Sequence, residues 1–180
     1  MKNYFLTISL LFTFLVSAQS DTNVEEQQTS INFLLPGVVY EAGVSKNATV
    51  TGEFTIGFAY RESFNVDGFG IYPIGKLQYR HYYNFERRLK KGKRISGNTG
   101  NYIAPTFGIQ GGNPIIGDLE FASNYSSGFG VVYGIQRTAP KGFQFRIEAG
   151  PGVFFDEFGT EFGINLSAKL GWVLGRRNKN

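Results

Sequence analysis

The stretch ATVTGEFTIGFAYR, Ala48 to Arg61, decides how this chain is read. In alternation, Val50, Phe54, Ile56, Phe58 and Tyr60 fall on one face, with Gly52 the only small residue in that row. Thr49, Thr51, Glu53, Thr55, Gly57, Ala59 and Arg61 fall on the other. A period of two marks a strand, because successive side chains point to opposite sides of the pleat. One face is apolar and aromatic, and the other is small or polar and carries charge. Such a strand meets two different solvents. It is also longer than the roughly 9–11 tilted residues that cross a bilayer.

The pattern recurs on both sides of this stretch. Upstream, Ile31 to Leu35 is a short apolar strand running into Pro36-Gly37, a turn dipeptide. Val38 to Ser45 then sets Val38, Tyr40, Ala42 and Val44 against Glu41 and Gly43. Downstream, strands are predicted over Phe69 to Phe85, Gly100 to Gln110, Asn124 to Arg137, Phe143 to Val153 and Thr160 to Leu174. The expected fold is all-β, an eight-stranded antiparallel up-and-down transmembrane β-barrel. Eight is an even count, as a bacterial single-chain barrel requires, and the first short hairpin is needed to reach it. Lys46-Asn47, Glu86 to Thr99 and Ala139 to Gly142 would turn the chain at the periplasmic end. Glu62 to Gly68, Gly111 to Ser123 and Phe154 to Gly159 would be the external loops.

An export signal precedes the strands. Lys2 gives a positive start, Tyr4 to Val16 is uncharged and mainly apolar, and Val16-Ser17-Ala18 supplies small residues for cleavage before Gln19. The run is shorter than the about 20 apolar residues of a spanning helix. The expected organisation is a signal peptide over 1–18, a polar, mobile lead-in over 19–30, the barrel over 31–175 and a basic tail over 176–180.

Composition agrees with this reading. The 24 glycines let a narrow interior close, and the 18 Phe and 10 Tyr suit aromatic girdles at the lipid–water boundaries. Cysteine is absent, which removes both a disulfide framework and a lipid-anchored cysteine. A closed barrel needs neither, since closure satisfies every backbone hydrogen bond. The chain carries 18 basic and 14 acidic residues. The basic excess is local, in Arg87, Arg88, Lys90, Lys91, Lys93 and Arg94, and again in Arg176, Arg177 and Lys179. No nucleic-acid motif accompanies these clusters, and nucleic acid is not an expected partner.

Several features resemble a known family. They are the signal ending Val16-Ser17-Ala18-Gln19, the opening Leu34-Leu35-Pro36-Gly37 through Tyr40-Glu41, Tyr79 to Asn84 running into a basic turn, and a last strand near the C-terminus. On these the chain resembles the small eight-stranded outer-membrane barrels of the OmpA/OmpX type, and most of all the short barrel-only proteins of Bacteroidetes. The resemblance implies an outer-membrane location, lipid surroundings, a monomer, and the barrel assembly machinery as partner during biogenesis. Barrels of this type usually end on an aromatic residue. Here Trp172 is followed by Val173-Leu174-Gly175 and the basic tail.

The nearest thing to chemistry is the set of inward-facing charges: Glu41, Glu53, Arg61, Lys76, Arg80, Arg146, Glu148, Glu161 and Lys169. Five are basic and four acidic, so a nearly neutral interior network is expected. A barrel of eight strands has little room beyond its own side chains, which favours a solid salt-bridged interior over a pore. His81 is the only histidine and has outward parity, but its strand holds no serine to serve as a nucleophile. It belongs with Tyr79 and Tyr83 in an interfacial aromatic belt. With no Cys and one His, only oxygen ligands such as Asp118/Glu120 or Asp156/Glu157 remain for a weak calcium site. No catalytic residue, metal or cofactor is expected. The expected function is a non-enzymatic outer-membrane barrel, structural or interacting through its external loops. The alternatives are a soluble exported lipocalin-like binding barrel and, ranked lower, a lipid-modifying enzyme or a narrow pore.

Overall fold

The computed structural model describes residues 22–62 and 68–175. The expected signal segment, the middle of the loop after Arg61 and the basic tail lie outside the described residues. Strands β1 (Gln27–Asn32), β2 (Gly37–Ser45), β3 (Ala48–Arg61) and β4 (Gly68–His81) are followed by a short helix, α1 (Phe85–Lys90). Then come β5 (Gly100–Gly111), the two-residue β6 (Ile116–Gly117), β7 (Tyr125–Thr138), β8 (Phe143–Phe155) and β9 (Thr160–Leu174). Each strand is antiparallel to its neighbours, and β9 pairs back onto β1. The sheet is thus an up-and-down meander closing in a ring of eight strands, with β6 a small addition on β4. No described helix is long and apolar enough to cross a membrane, a statement that concerns helices alone.

The alternation of Ala48 to Arg61 is realised over almost its whole length. Thr49, Thr51, Glu53 and Thr55 are buried inside the ring, while Val50, Phe54, Phe58 and Tyr60 are exposed outside. The predicted bounds of β3 and β9 coincide with the observed ones, and those of β2, β5, β7 and β8 fall within two residues.

Two segments depart from expectation. The first strand occupies Gln27–Asn32 instead of Ile31 to Leu35, and Phe33 to Pro36 form its turn. The apolar run Phe33-Leu34-Leu35 looks like strand by composition, but the chain reverses there so that Ile31 can face Val38. The lead-in is also built into the fold. Val24 is buried, Asn23 donates its backbone N–H to Lys46 O at 2.8 Å, and Glu25 donates its own to Asn98 Oδ1 at 2.8 Å.

The second departure is the long basic turn. The fourth strand stops at His81, and residues 82–99 fold back across the ring end that also holds the first and last described residues. Phe85 and Ile95 are buried there with Val24, Tyr82, Tyr102, Ala104 and Val132. Arg87, Lys90, Lys91 and Lys93 stay exposed. The return needs left-handed backbone at Gly97 (φ 66°) and Asn98 (φ 54°), a conformation that Gly and Asn adopt most readily. This apolar plug closes what is here called the terminal end. The opposite, open end carries the turn at 33–36 and the loop 112–124, which folds back so that Leu119 is buried beside Tyr72 and Phe121.

Candidate functional site

Inward parity delivers charged side chains from five strands into one layer above the plug. Glu41 on β2 accepts hydrogen bonds from Thr49 Oγ1 at 2.7 Å, Tyr82 OH at 2.8 Å and Arg80 Nη1 at 3.3 Å. Arg80 on β4 is fully buried, donates to Gln78 Oε1 and Gln136 Oε1, and lies 5.1 Å from the centre of the Tyr102 ring. Glu148 on β8 accepts from Lys76 Nζ and from Tyr102 OH, each at 2.6 Å. Two guanidinium groups, Arg80 and Arg146, each approach Glu148 to 3.7 Å. Glu53 on β3 takes Arg146 Nη2 at 3.0 Å and also Lys169 Nζ from β9. The layer ties β2 to β4, β4 to β8, and β3 to both β8 and β9.

Seven of the nine sequence-predicted charges therefore meet: Glu41, Glu53, Lys76, Arg80, Arg146, Glu148 and Lys169. Arg61 and Glu161 do not. Both are exposed at the open-end extremities of β3 and β9, and neither forms an ion pair among the described residues. Parity was right for them, but the layer lies deeper than the strand ends reach. The network thus holds four bases and three acids.

Neutral partners complete the layer: Gln78, Gln136, Thr49, Tyr82 and Tyr102. Inward parity would have identified Gln78 and Tyr102 from sequence, whereas Tyr82 arrives only through the backbone beyond His81. Burial, and next the Glu41 carboxylate, push the Tyr82 phenol well above its ordinary pKa, so it serves as a neutral donor. Taking ions out of water costs several kcal/mol each, and the layer is tolerated because each buried charge faces at least one opposite charge, although Gln78 Nε2 and Arg146 Nε have no hydrogen-bond partner among the described residues.

The open half differs. Beyond the layer lies a cavity of about 370 Å³ whose wall includes Thr55, Ile74, Gln110, Phe154, Asn165 and Ser167, with Lys76, Glu148 and Lys169 at its charged side. Asn165 Nδ2 is buried in this wall without a hydrogen-bond partner among the described residues.

His81 is exposed on the outer face, with Ala48 and Ile103 as its cross-strand neighbours, neither of which is a nucleophile or an acid. Three of the four loop acids considered for calcium, all but Glu120, accept hydrogen bonds from the chain itself. Asp118 Oδ1 accepts from Phe69 N, Asp156 Oδ1 from Phe158 N and Gly159 N, and Glu157 from Asn124. No group of three or more candidate metal ligands occurs among the described residues.

What this arrangement does chemically is pair buried charges with one another and with the hydroxyls of Tyr82 and Tyr102. Comparison of the chain with protein-family models, with curated proteins and with solved structures finds no match.

Proposed function

We propose that this chain is an integral outer-membrane β-barrel of the small eight-stranded, OmpA/OmpX-like kind. In this reading it is exported by a cleaved signal, sits as a monomer in outer-membrane lipid, and is inserted by the barrel assembly machinery. It is non-enzymatic and acts structurally or through its open-end loops. One observation carries the reading: buried charge fills the inside of the ring while apolar side chains face outward around it.

Phe54, Leu77, Ile103, Phe129, Ile147 and Leu166, from six different strands, are all exposed. Soluble monomers rarely expose contiguous apolar patches beyond a few hundred Å². A ring of backbone hydrogen bonds with an apolar exterior is one of the two ways a chain spans hydrocarbon. Tyr79, Tyr83, Tyr133 and Trp172 lie toward the terminal end of this face and Phe58 and Tyr60 toward the open end, as two interfacial girdles would. The exposed bases of α1 and the following turn suit anionic headgroups on the periplasmic side.

A lipocalin-like binder is disfavoured because it needs the opposite arrangement, apolar inside and charged outside. A pore is disfavoured by the plug and the ion-paired layer. A lipid-modifying enzyme is disfavoured by the neighbours of His81. The test is membrane fractionation followed by gel electrophoresis with and without boiling. The expected result is recovery with outer membranes, resistance to carbonate extraction and a heat-dependent change in mobility. Recovery as a soluble periplasmic monomer overturns the reading.

A further inference from the structure

The ring is complete at its terminal end and incomplete at its open end. β1 bonds β9 only through Thr29–Asn32 and Gly171–Leu174, followed by Phe33 N donating to Leu170 O. β2 bonds β3 only as far as Gly37–Thr55, followed by Ile56 N donating to Pro36 O. Above that level the first hairpin has already turned. Residues 57–61 of β3 and 160–169 of β9 keep their partners on β4 and β8 but, among the described residues, have no ladder partner on the side where they face each other. No Cα of β3 comes within 8 Å of a Cα of β9. The exposure of the outer face agrees: Phe162, Ile164 and Leu166 are 90%, 77% and 79% exposed, more than any large apolar residue of β2 to β8.

The sill of this gap is apolar. Phe33, Leu34 and Leu35 form the tip of the short hairpin and are all exposed, whereas hairpin tips in water are ordinarily polar. Leu35 also lines the interior cavity, as do Thr55 beside one edge and Asn165, Leu166 and Ser167 on the other. The gap therefore joins the apolar exterior to a chamber with Lys76 and Lys169 in its wall against one carboxylate, Glu148. Each ammonium has three donors, so its pairing with Glu148 or Glu53 leaves N–H groups for a further acceptor. Asn165 Nδ2 adds an unused donor.

We propose that the gap between β3 and β9 is a lateral port through which a long-chain carboxylate passes from the lipid phase into the cavity, its head held by Lys76, Lys169 and Asn165 and its chain lying across Phe33, Leu34 and Leu35. This rests on the membrane reading above. An inserted peptide strand fits less well. Below the gap β1 and β2 separate β3 from β9 by three inter-strand steps, about 14 Å, so one added strand reaches only one of the two edges. The edges themselves are tolerable in a membrane because they line a chamber open to water rather than facing hydrocarbon alone.

The test is photolabelling of the purified chain, folded into dioleoylphosphatidylcholine vesicles, with a fatty acid bearing a diazirine at mid-chain. Peptide mapping is expected to find labelling at Phe33 to Leu35 and Phe162 to Leu166 about tenfold above that at Phe129 or Ile147 on the far wall. A matching fatty alcohol, which lacks the charge, is expected to lose most of that preference. Gly108→Trp should abolish it by filling the chamber. A Cβ at Gly108 meets only Gly75 O, at 3.8 Å, so the fold tolerates a side chain there. Heat-dependent gel mobility verifies folding of each sample. Even labelling around the belt, equal labelling by acid and alcohol, or undiminished labelling of a folded Gly108→Trp protein overturns the port and leaves the membrane reading standing. Failure of the native chain to insert at all overturns both.

Discussion

The terminal half and the open half of the ring are built from the same eight strands to different ends. In the terminal half every strand has both neighbours, the bore is crossed by ion pairs, and an aromatic plug seals it. Glycines there accommodate buried rings: a methyl at Gly134 would overlap the Tyr102 ring, and one at Gly100 would overlap Phe85. In the open half two edges are unpaired among the described residues, a cavity replaces the plug, and a Cβ at Gly108 meets only Gly75 O at 3.8 Å. The comparison teaches that closure and filling are separable. A short first hairpin leaves one wall low, and the residues that lock the ring sit below that level. The terminal half carries the ion pairs and the aromatic cluster that tie the strands together.

The difference is sharpest for the buried charges. Glu148→Gln leaves Lys76, Arg80 and Arg146 facing a neutral amide, and breaking a buried ion pair from one side costs about 3–5 kcal/mol. Urea unfolding in detergent micelles is expected to show that loss, while Glu161→Gln, at the exposed end of β9, leaves the midpoint unchanged within about 0.5 kcal/mol. Equal effects would mean that the layer does not lock the ring.

Next comes the distinction between faces. Phe58→Arg places a charge on the outer face and is expected to cost about 2–4 kcal/mol of membrane folding if it lies near the midplane, and less near a rim. Ala59→Ser, on the inner face, is expected to be nearly neutral. Refolding yield into vesicles measures both, and a reversed order breaks the outward-apolar assignment.

The glycines give a smaller contrast. Gly134→Ala forces Tyr102 from its place against Arg80 and Glu148 and is expected to cost about 1–3 kcal/mol, as overpacking does. Gly108→Ala is expected to stay within about 0.5 kcal/mol. If both are silent, the terminal half is looser than its packing implies.

The last prediction concerns orientation. A cysteine at Ile115, exposed on the open-end loop, is expected to react with an impermeant reagent on whole cells. One at Gly92, in the plug segment, is expected to stay unlabelled. Gly92 tolerates the comparison sterically, since nothing lies within 4 Å of a Cβ there, although its φ of 61° favours glycine. The reverse labelling pattern inverts the two ends.

The alternation of each strand is a local property, and it was legible residue by residue. It yielded the strand set, the two faces, and seven of the nine charges that meet inside, because a period of two depends only on neighbours along the chain. Length along the strand axis was not legible. Arg61 and Glu161 have the right parity but sit at strand ends, and depth within the ring depends on how eight registers stagger. The first hairpin was misplaced by a few residues because Phe33-Leu34-Leu35 has strand composition, and only the pairing of Gln27–Asn32 with β2 and β9 assigns it to a turn. Residues 86–99 read as a basic turn at the periplasmic end. Their fold as a plug hangs on Phe85 and Ile95 finding Val24, Tyr82 and Tyr102, partners up to about seventy positions away. The port depends on the same kind of fact. Sequence decided which side each residue faces, and tertiary structure decided which residues meet and where the wall stops, because contact between distant strands is fixed by closure of the ring and not by any local preference.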